Sequence, residues 1–307
     1  MKIRHFFAGA VLCCAVLPIT AMRTPVVLLD GLGDYSDNTF YDLTNDVVSQ
    51  FPGIDVLQLK LGDGLVQTKL VGAANDQPKL IQTAIKNLDL GKLANRKFIF
   101  AAWSQSALMA RAWVEQYDNA HRVQGLILLN GMQYGQFGYS QYVADWIKKT
   151  AGATVEKLSS ILWKTSLGAW IIYSQCMQNR YVPCGYWRNP SPISAYGRAC
   201  QFLPKINNEI NHPDMKQYKD NILALKVLGA FATPKDDIIC PWQSGIFCTP
   251  DTLDYKTTDL YKNDRIGLKT LDQNNKLYIN SSIDSTHSSH LDPRVRKEIV
   301  TLIGRAQ

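Results

Sequence analysis

Phe98 to Ala102 is an unbroken apolar run that passes through Trp103-Ser104-Gln105 into a segment whose Leu108, Met109, Ala112 and Trp113 recur at helical spacing. A run with no polar face cannot lie at a water-facing surface, so it predicts a strand covered on both sides, as in a parallel sheet. The same unit recurs along the chain. Thr24 to Leu29 runs into the tight loop Asp30-Gly31-Leu32-Gly33-Asp34, and Ile54 to Leu59 alternates as a second strand. Leu80, Ile81, Ala84, Ile85 and Leu88 then mark a helix, and Gln124 to Leu129 gives a fourth strand. Strand alternating with helix predicts an α/β fold, a mostly parallel sheet flanked by helices.

From about residue 139 to 225 the pattern is helical and irregular, which predicts an inserted helical cap. Trp146, Ile147, Val155, Leu158, Leu162, Trp163, Leu167, Trp170 and Ile171 put apolar side chains on more than one helical face. Such a surface packs on the sheet as an ordinary cover, lines a groove for a long apolar ligand, or does both. Lys226 to Ala232 and Leu277 to Ser281 read as the last strands. Asp292-Pro293 then opens a terminal helix, with an aspartate cap and a proline at its first position. No linker divides the chain, so residues 22–307 are expected to form one domain with its cap.

Residues 1–21 have the order of a secretory signal peptide: Lys2 and Arg4, the apolar stretch Phe6 to Leu17, then small residues to Ala21. Export to a lysosomal, extracellular or periplasmic space is the expectation. Loss of the leader removes two of the formal charges that give the chain +7. The remaining bases are scattered, which argues against nucleic acid and allows weak attraction to an anionic membrane surface. With 46% apolar and 19% charged residues and no repeat, the chain is neither disordered nor fibrous. Export also permits disulfides. Equal close spacing pairs Cys176 with Cys184 and Cys240 with Cys248, leaving Cys200 over. Asn280-Ser281-Ser282 is a glycosylation sequon, of use in a eukaryotic secretory route.

Ser104, between strand and helix with the small Ala102 and Ser106 around it, fits a nucleophile elbow, although glycine is usual at both flanks. A serine there also serves as a helix cap. A nucleophilic serine needs a base and an orienting acid, in the chain order Ser, acid, His. The acid falls on Asp236 or its neighbour Asp237, just after the fifth strand, and the base on His287 or His290, just after the last. A metal held by Asp284, His287 and His290 lacks further ligands. Oxyanion donors are expected from the amides of Gln105 and Leu32. The loop at Gly31 and Gly33 is not a dinucleotide fingerprint, because Ser36 stands where the third glycine is needed. No cofactor is implied.

These residues resemble the palmitoyl-protein thioesterases, lysosomal α/β-hydrolases that remove long acyl chains from cysteine. The shared segments are Gly31-Leu32-Gly33-Asp34, Pro52-Gly53-Ile54, Trp103-Ser104-Gln105, Phe202-Leu203-Pro204-Lys205-Ile206-Asn207, Tyr218 to Leu225, Asp236-Asp237-Ile238-Ile239, Pro241-Trp242-Gln243-Ser244 and Asp264 to Lys269. The resemblance implies Ser104 as nucleophile, Asp236 as acid, His290 as base, and Leu32 and Gln105 as oxyanion donors. It implies S-acylated proteins or peptides as substrates. Acyl-CoA or lipid esters are alternatives for the same machinery, and a silent lipid-binding relative is a third reading. Asp30 departs from the family, which commonly has histidine before the first loop glycine.

Overall fold

The computed structural model describes residues 22–31, 38–59, 61, 71–138, 144–145, 148–149, 152–162, 165–189 and 193–307. Residues 1–21, the expected leader, lie outside the described residues, as do Leu32, Trp146, Ile147 and Trp163. Six strands are formed: β1 (Val26–Leu29), β2 (Val56–Gln58), β3 (Phe98–Trp103), β4 (Val123–Leu129), β5 (Val227–Phe231) and β6 (Leu277–Asn280). All pairings are parallel, in the order β2-β1-β3-β4-β5-β6. The α/β class read from the sequence is the one observed, with each strand inside a segment that the sequence marks as one. Around the sheet lie α1 (Tyr41–Gln50), α2 (Gln77–Asp89) and α3 (Gln105–Tyr117). They are followed by α4 (Ala153–Leu162), α5 (Ser166–Ile172), α6 (Gln175–Arg180), α7 (Ile193–Ala199), α8 (Leu203–Ile206) and α9 (Met215–Leu223). The chain closes with α10 (Asp259–Lys262), α11 (Leu268–Gln273) and α12 (Pro293–Ala306).

Side chains alternate across the sheet, which builds two core layers. Val27, Leu29, Phe98, Phe100, Leu126 and Leu128 pack on one face with Leu108, Met109 and Ala112 of α3. Val26, Leu28, Ile99, Ala101, Ile127 and Leu129 pack on the other, against Leu43 and Val47 of α1 and Val295, Ile299 and Leu302 of α12. Burying each large aliphatic side chain stabilises the fold by roughly 1.5–3 kcal/mol, so strands without a polar face are favoured only where both faces are covered. α12 comes so close to β5 that a Cβ on Gly229 would lie 2.5 Å from Leu302 Cδ1. It starts as the sequence predicts: the Asp292 side chain accepts from the Arg294 amide, and Pro293 holds the first helical position.

Between β4 and β5 the described residues form α4 to α9. Leu158, Leu162, Leu167 and Trp170 are exposed there. No helix among the described residues is long and apolar enough to cross a membrane.

The disulfide expectation is corrected. Cys176 and Cys184 are both free thiols, one exposed on α6 and the other buried in the 3-10 turn Val182–Tyr186. Sequence spacing placed them near each other but says nothing of direction, and one thiol is exposed while the other is buried. Cys248 is a free, buried thiol packed with Ala232 and Ile246 beneath β5, so the bridge to Cys240 is not formed. The turn Trp242–Ile246, closed by left-handed Phe247, aims Cys248 inward. Cys200 donates its thiol to the Gly185 carbonyl at 3.1 Å.

Candidate active site

Parallel strands all end at one edge, and the loops that leave that edge bring together residues far apart in sequence. Ser104 leaves β3 with φ +60 and ψ −133, a region that a side chain enters at a cost of about 1–3 kcal/mol. The conformation is held by bonds on both sides. The Ser104 amide donates to the Leu129 carbonyl at 2.8 Å, and its carbonyl accepts from Ala107 N at 3.0 Å. Crowding at this turn is severe, since a Cβ on Gly31 would fall 2.7 Å from Ser104 Cβ. Only glycine fits at position 31.

The Ser104 side chain makes no cap bond to α3, which removes the helix-cap reading. Its Oγ, on a residue only 5% exposed, instead donates to His287 Nε2 at 2.8 Å. His287 Nδ1 donates to Asp236 Oδ2 at 2.9 Å and lies 3.0 Å from Oδ1. This pairing selects the tautomer with the proton on Nδ1, leaving Nε2 free to accept from the hydroxyl.

Asp236 is fixed in turn. Its side chain is 1% exposed. Oδ1 accepts from the amides of Ile238 at 2.9 Å and Ile239 at 2.8 Å, and Oδ2 accepts from Asn130 Nδ2 at 2.8 Å. These three donors, with the His287 ring, leave neither carboxylate oxygen without a partner. Asp237, the other candidate, accepts at 3.4 Å from the backbone amide of His287, while the ring nitrogen bonds Asp236.

The histidine that reaches the serine is His287, which corrects the placement of the base at His290. The loop after β6 is already drawn to the acid at residues 286 and 287, because Thr233 Oγ1 donates to the Thr286 carbonyl at 3.0 Å and Trp103 Nε1 donates to the His287 carbonyl at 2.8 Å. The 3-10 turn Ser289–Leu291 then carries His290 away. Its buried ring packs against Trp103 at 4.3 Å and Phe40 at 5.2 Å, and its Nδ1 has no hydrogen-bond partner among the described residues. Burial, then the adjacent His287 and Arg296, push its pKa down to about 4. A neutral imidazole used as an aromatic wall is the result. Asp284, part of the rival metal reading, pairs with Lys235 at 2.5 Å.

Gln105 is buried and opens α3, where first-turn amides point out of the helix end. Leu32, the other expected oxyanion donor, lies outside the described residues. Three contributors are given no role by the sequence reading: Trp103, seen there only as part of the Trp103-Ser104-Gln105 segment, and Thr233, which hold the histidine loop, and Asn130, which holds the acid. A cleft of about 360 Å³ between α5 and α7, lined by Ala169, Trp170, Tyr173, Ala195, Arg198 and Ala199, does not include Ser104, Asp236 or His287.

Residues 25–287 match the family described as palmitoyl protein thioesterase. That span contains Ser104, Asp236 and His287 and ends before His290. The chain is 26% identical to a lysosomal thioesterase PPT2 homolog of Drosophila melanogaster, over 98% of this chain and 97% of that one. It is 28% identical to palmitoyl-protein thioesterase 3 of Dictyostelium discoideum, over 90% and 89%. For the lysosomal thioesterase PPT2 of Homo sapiens the identity is 28%, over 86% and 82%. Among solved structures, a Pyrococcus furiosus esterase is similar at TM-score 0.46 and 10% identity, over 92% of this chain and 82% of that one. A Bacillus licheniformis lipase in its mature form is similar at TM-score 0.43 and 14% identity, over 91% of each chain.

Proposed function

The chain belongs to the palmitoyl protein thioesterase family and is a thioester or ester hydrolase, and on that premise we propose that it releases long acyl chains from protein cysteines through a Ser104-His287-Asp236 relay. The observation that carries this reading is the continuous pair of bonds, 2.8 Å from Ser104 to His287 and 2.9 Å from His287 to Asp236. A hydroxyl is a poor nucleophile until its proton has somewhere to go. His287 accepts that proton as Ser104 Oγ attacks the acyl carbon, and Asp236 stabilises the imidazolium that forms. His287 then returns the proton to the departing cysteine sulfur. Water, deprotonated by the same ring, attacks the acyl-enzyme and frees the fatty acid. The amide of Gln105, with that of Leu32, receives the oxyanion in this reading.

A long acyl chain suits the apolar helices between β4 and β5, and S-acylated proteins or peptides supply the thiol leaving group. Relatives named lysosomal thioesterases support a lysosomal site of action for this chain. The testing experiment compares S-palmitoyl peptide, palmitoyl-CoA and an oxygen ester of equal chain length, with wild type and Ser104→Ala. We expect the peptide to be the preferred substrate. Ser104→Ala should lower turnover by at least about a thousandfold with an unchanged circular dichroism spectrum. Equal turnover by the variant would remove the reading, and preference for the oxygen ester would replace the substrate.

A further inference from the structure

Asn130 follows β4 with φ +46, in the left-handed region where glycine is favoured and asparagine is tolerated. If only the turn mattered, its side chain would be idle. It is instead 1% exposed and hydrogen-bonded at both ends. Nδ2 donates to Asp236 Oδ2 at 2.8 Å and to Thr233 Oγ1 at 2.6 Å, while Oδ1 accepts from Ser289 Oγ. Its backbone amide donates to the Phe231 carbonyl at 2.9 Å. One residue thus ties the end of β4 to the end of β5, to the carboxylate of the acid, and to the turn just beyond His287.

We propose that Asn130 is a positioning residue of the relay, orienting the Asp236 carboxylate toward His287 and pinning the histidine loop through Ser289. The proposal rests on the hydrolase reading above. Asp236 offers two oxygens to His287, and free rotation about its last bond would weaken both contacts. The Ile238 and Ile239 amides hold Oδ1. Asn130 Nδ2 holds Oδ2 beside His287, so each oxygen has a fixed donor besides the ring, and the carboxylate plane is set between them. A neutral amide donor does this without competing for the proton of His287. Lysine or arginine here would neutralise the charge that the imidazolium needs.

The test uses Asn130→Gly and Asn130→Asp. Glycine keeps the backbone unstrained at this φ, so any loss reports the side chain. Loss of one hydrogen bond to a charged group predicts a fall in kcat of about tenfold to a hundredfold with little change in KM. Asn130→Asp sets a second carboxylate beside Asp236, and two such groups share one proton with one pKa strongly raised. The titratable neighbours are Asp236 and His287, with Asp237 on the His287 amide and His290 beyond Ser289. When the added acid is protonated it still donates to Asp236 and accepts from Ser289. When it ionises, repulsion turns Asp236 away.

The ratio of Asn130→Asp to wild-type kcat is therefore expected to fall by about tenfold or more between pH 5 and pH 8. A residue that merely fills space would give a ratio independent of pH. Such a flat ratio, or a wild-type kcat in Asn130→Gly, overturns the proposal provided that wild-type protein is active and labelled at Ser104 by a fluorophosphonate. An unlabelled, inactive wild type would instead strike at the hydrolase reading itself.

Discussion

At Ser104 a strained backbone and a spent hydroxyl occur together: the φ of +60 points the Oγ out of the helix and into the bond with His287. Position 290 shows the opposite use of a histidine. Burial holds its pKa near 4, below the ordinary value of 6.5. A folded pKa that is depressed means the neutral ring favours the fold above pH ~6.5, and that contribution is lost as the pH falls toward ~4. His290→Phe keeps the contact with Trp103 and removes the titration. The melting temperature of the variant relative to wild type should rise as the pH is lowered from 7 to 4, and a pH-independent difference would contradict the burial of this ring. The positions of Ser104 and of the Asp236-Asp237 pair were legible because each lies in the segment that leaves an apolar strand. The choice between His287 and His290 was not. Both sit in one loop three residues apart, and only a 3-10 turn, invisible in the pattern, separates their directions. Asn130 was also hidden, because a lone asparagine after a strand reads as a turn former.

Elements were more legible than single side chains. Strands buried on both faces carry a continuous apolar signal, and the cap of α12 is written as Asp292-Pro293. The cysteine pairings failed because loop spacing constrains distance and leaves direction free, and the turns that carry Cys184 and Cys248 aim them into the core. α3 carries a further device that periodicity misses. Arg111 is fully buried, bonded to Glu115 Oε1 at 2.9 Å, Gln133 Oε1 at 2.8 Å and Asn207 Oδ1 at 2.8 Å. It joins α3, the helix that Ser104 precedes, to the loop after β4 and to the end of α8. Burial pushes Glu115 up to about 7, against the opposing pull of Arg111. Truncation to Arg111→Ala leaves a buried acid and two amides without their donor. Denaturant unfolding should show a loss of about 3–5 kcal/mol. A loss below about 1 kcal/mol would mean that the network is replaced by water.

For the whole molecule, the parallel sheet explains how residues 104, 130, 236 and 287 meet. Each follows the C-terminal end of a different strand, and neighbouring strands β3, β4, β5 and β6 carry them in that order. The fold therefore needs no long-range design beyond strand order to assemble the relay, and the family match over residues 25–287 spans the whole of it. The most direct measurement is the rate of fluorophosphonate labelling at Ser104, mapped by peptide mass, in wild type, His287→Ala and His290→Phe. Wild type and His290→Phe are predicted to label at comparable rates, and His287→Ala at least about a hundredfold more slowly. Labelling of His287→Ala at the wild-type rate, or of a serine other than 104, would contradict the account.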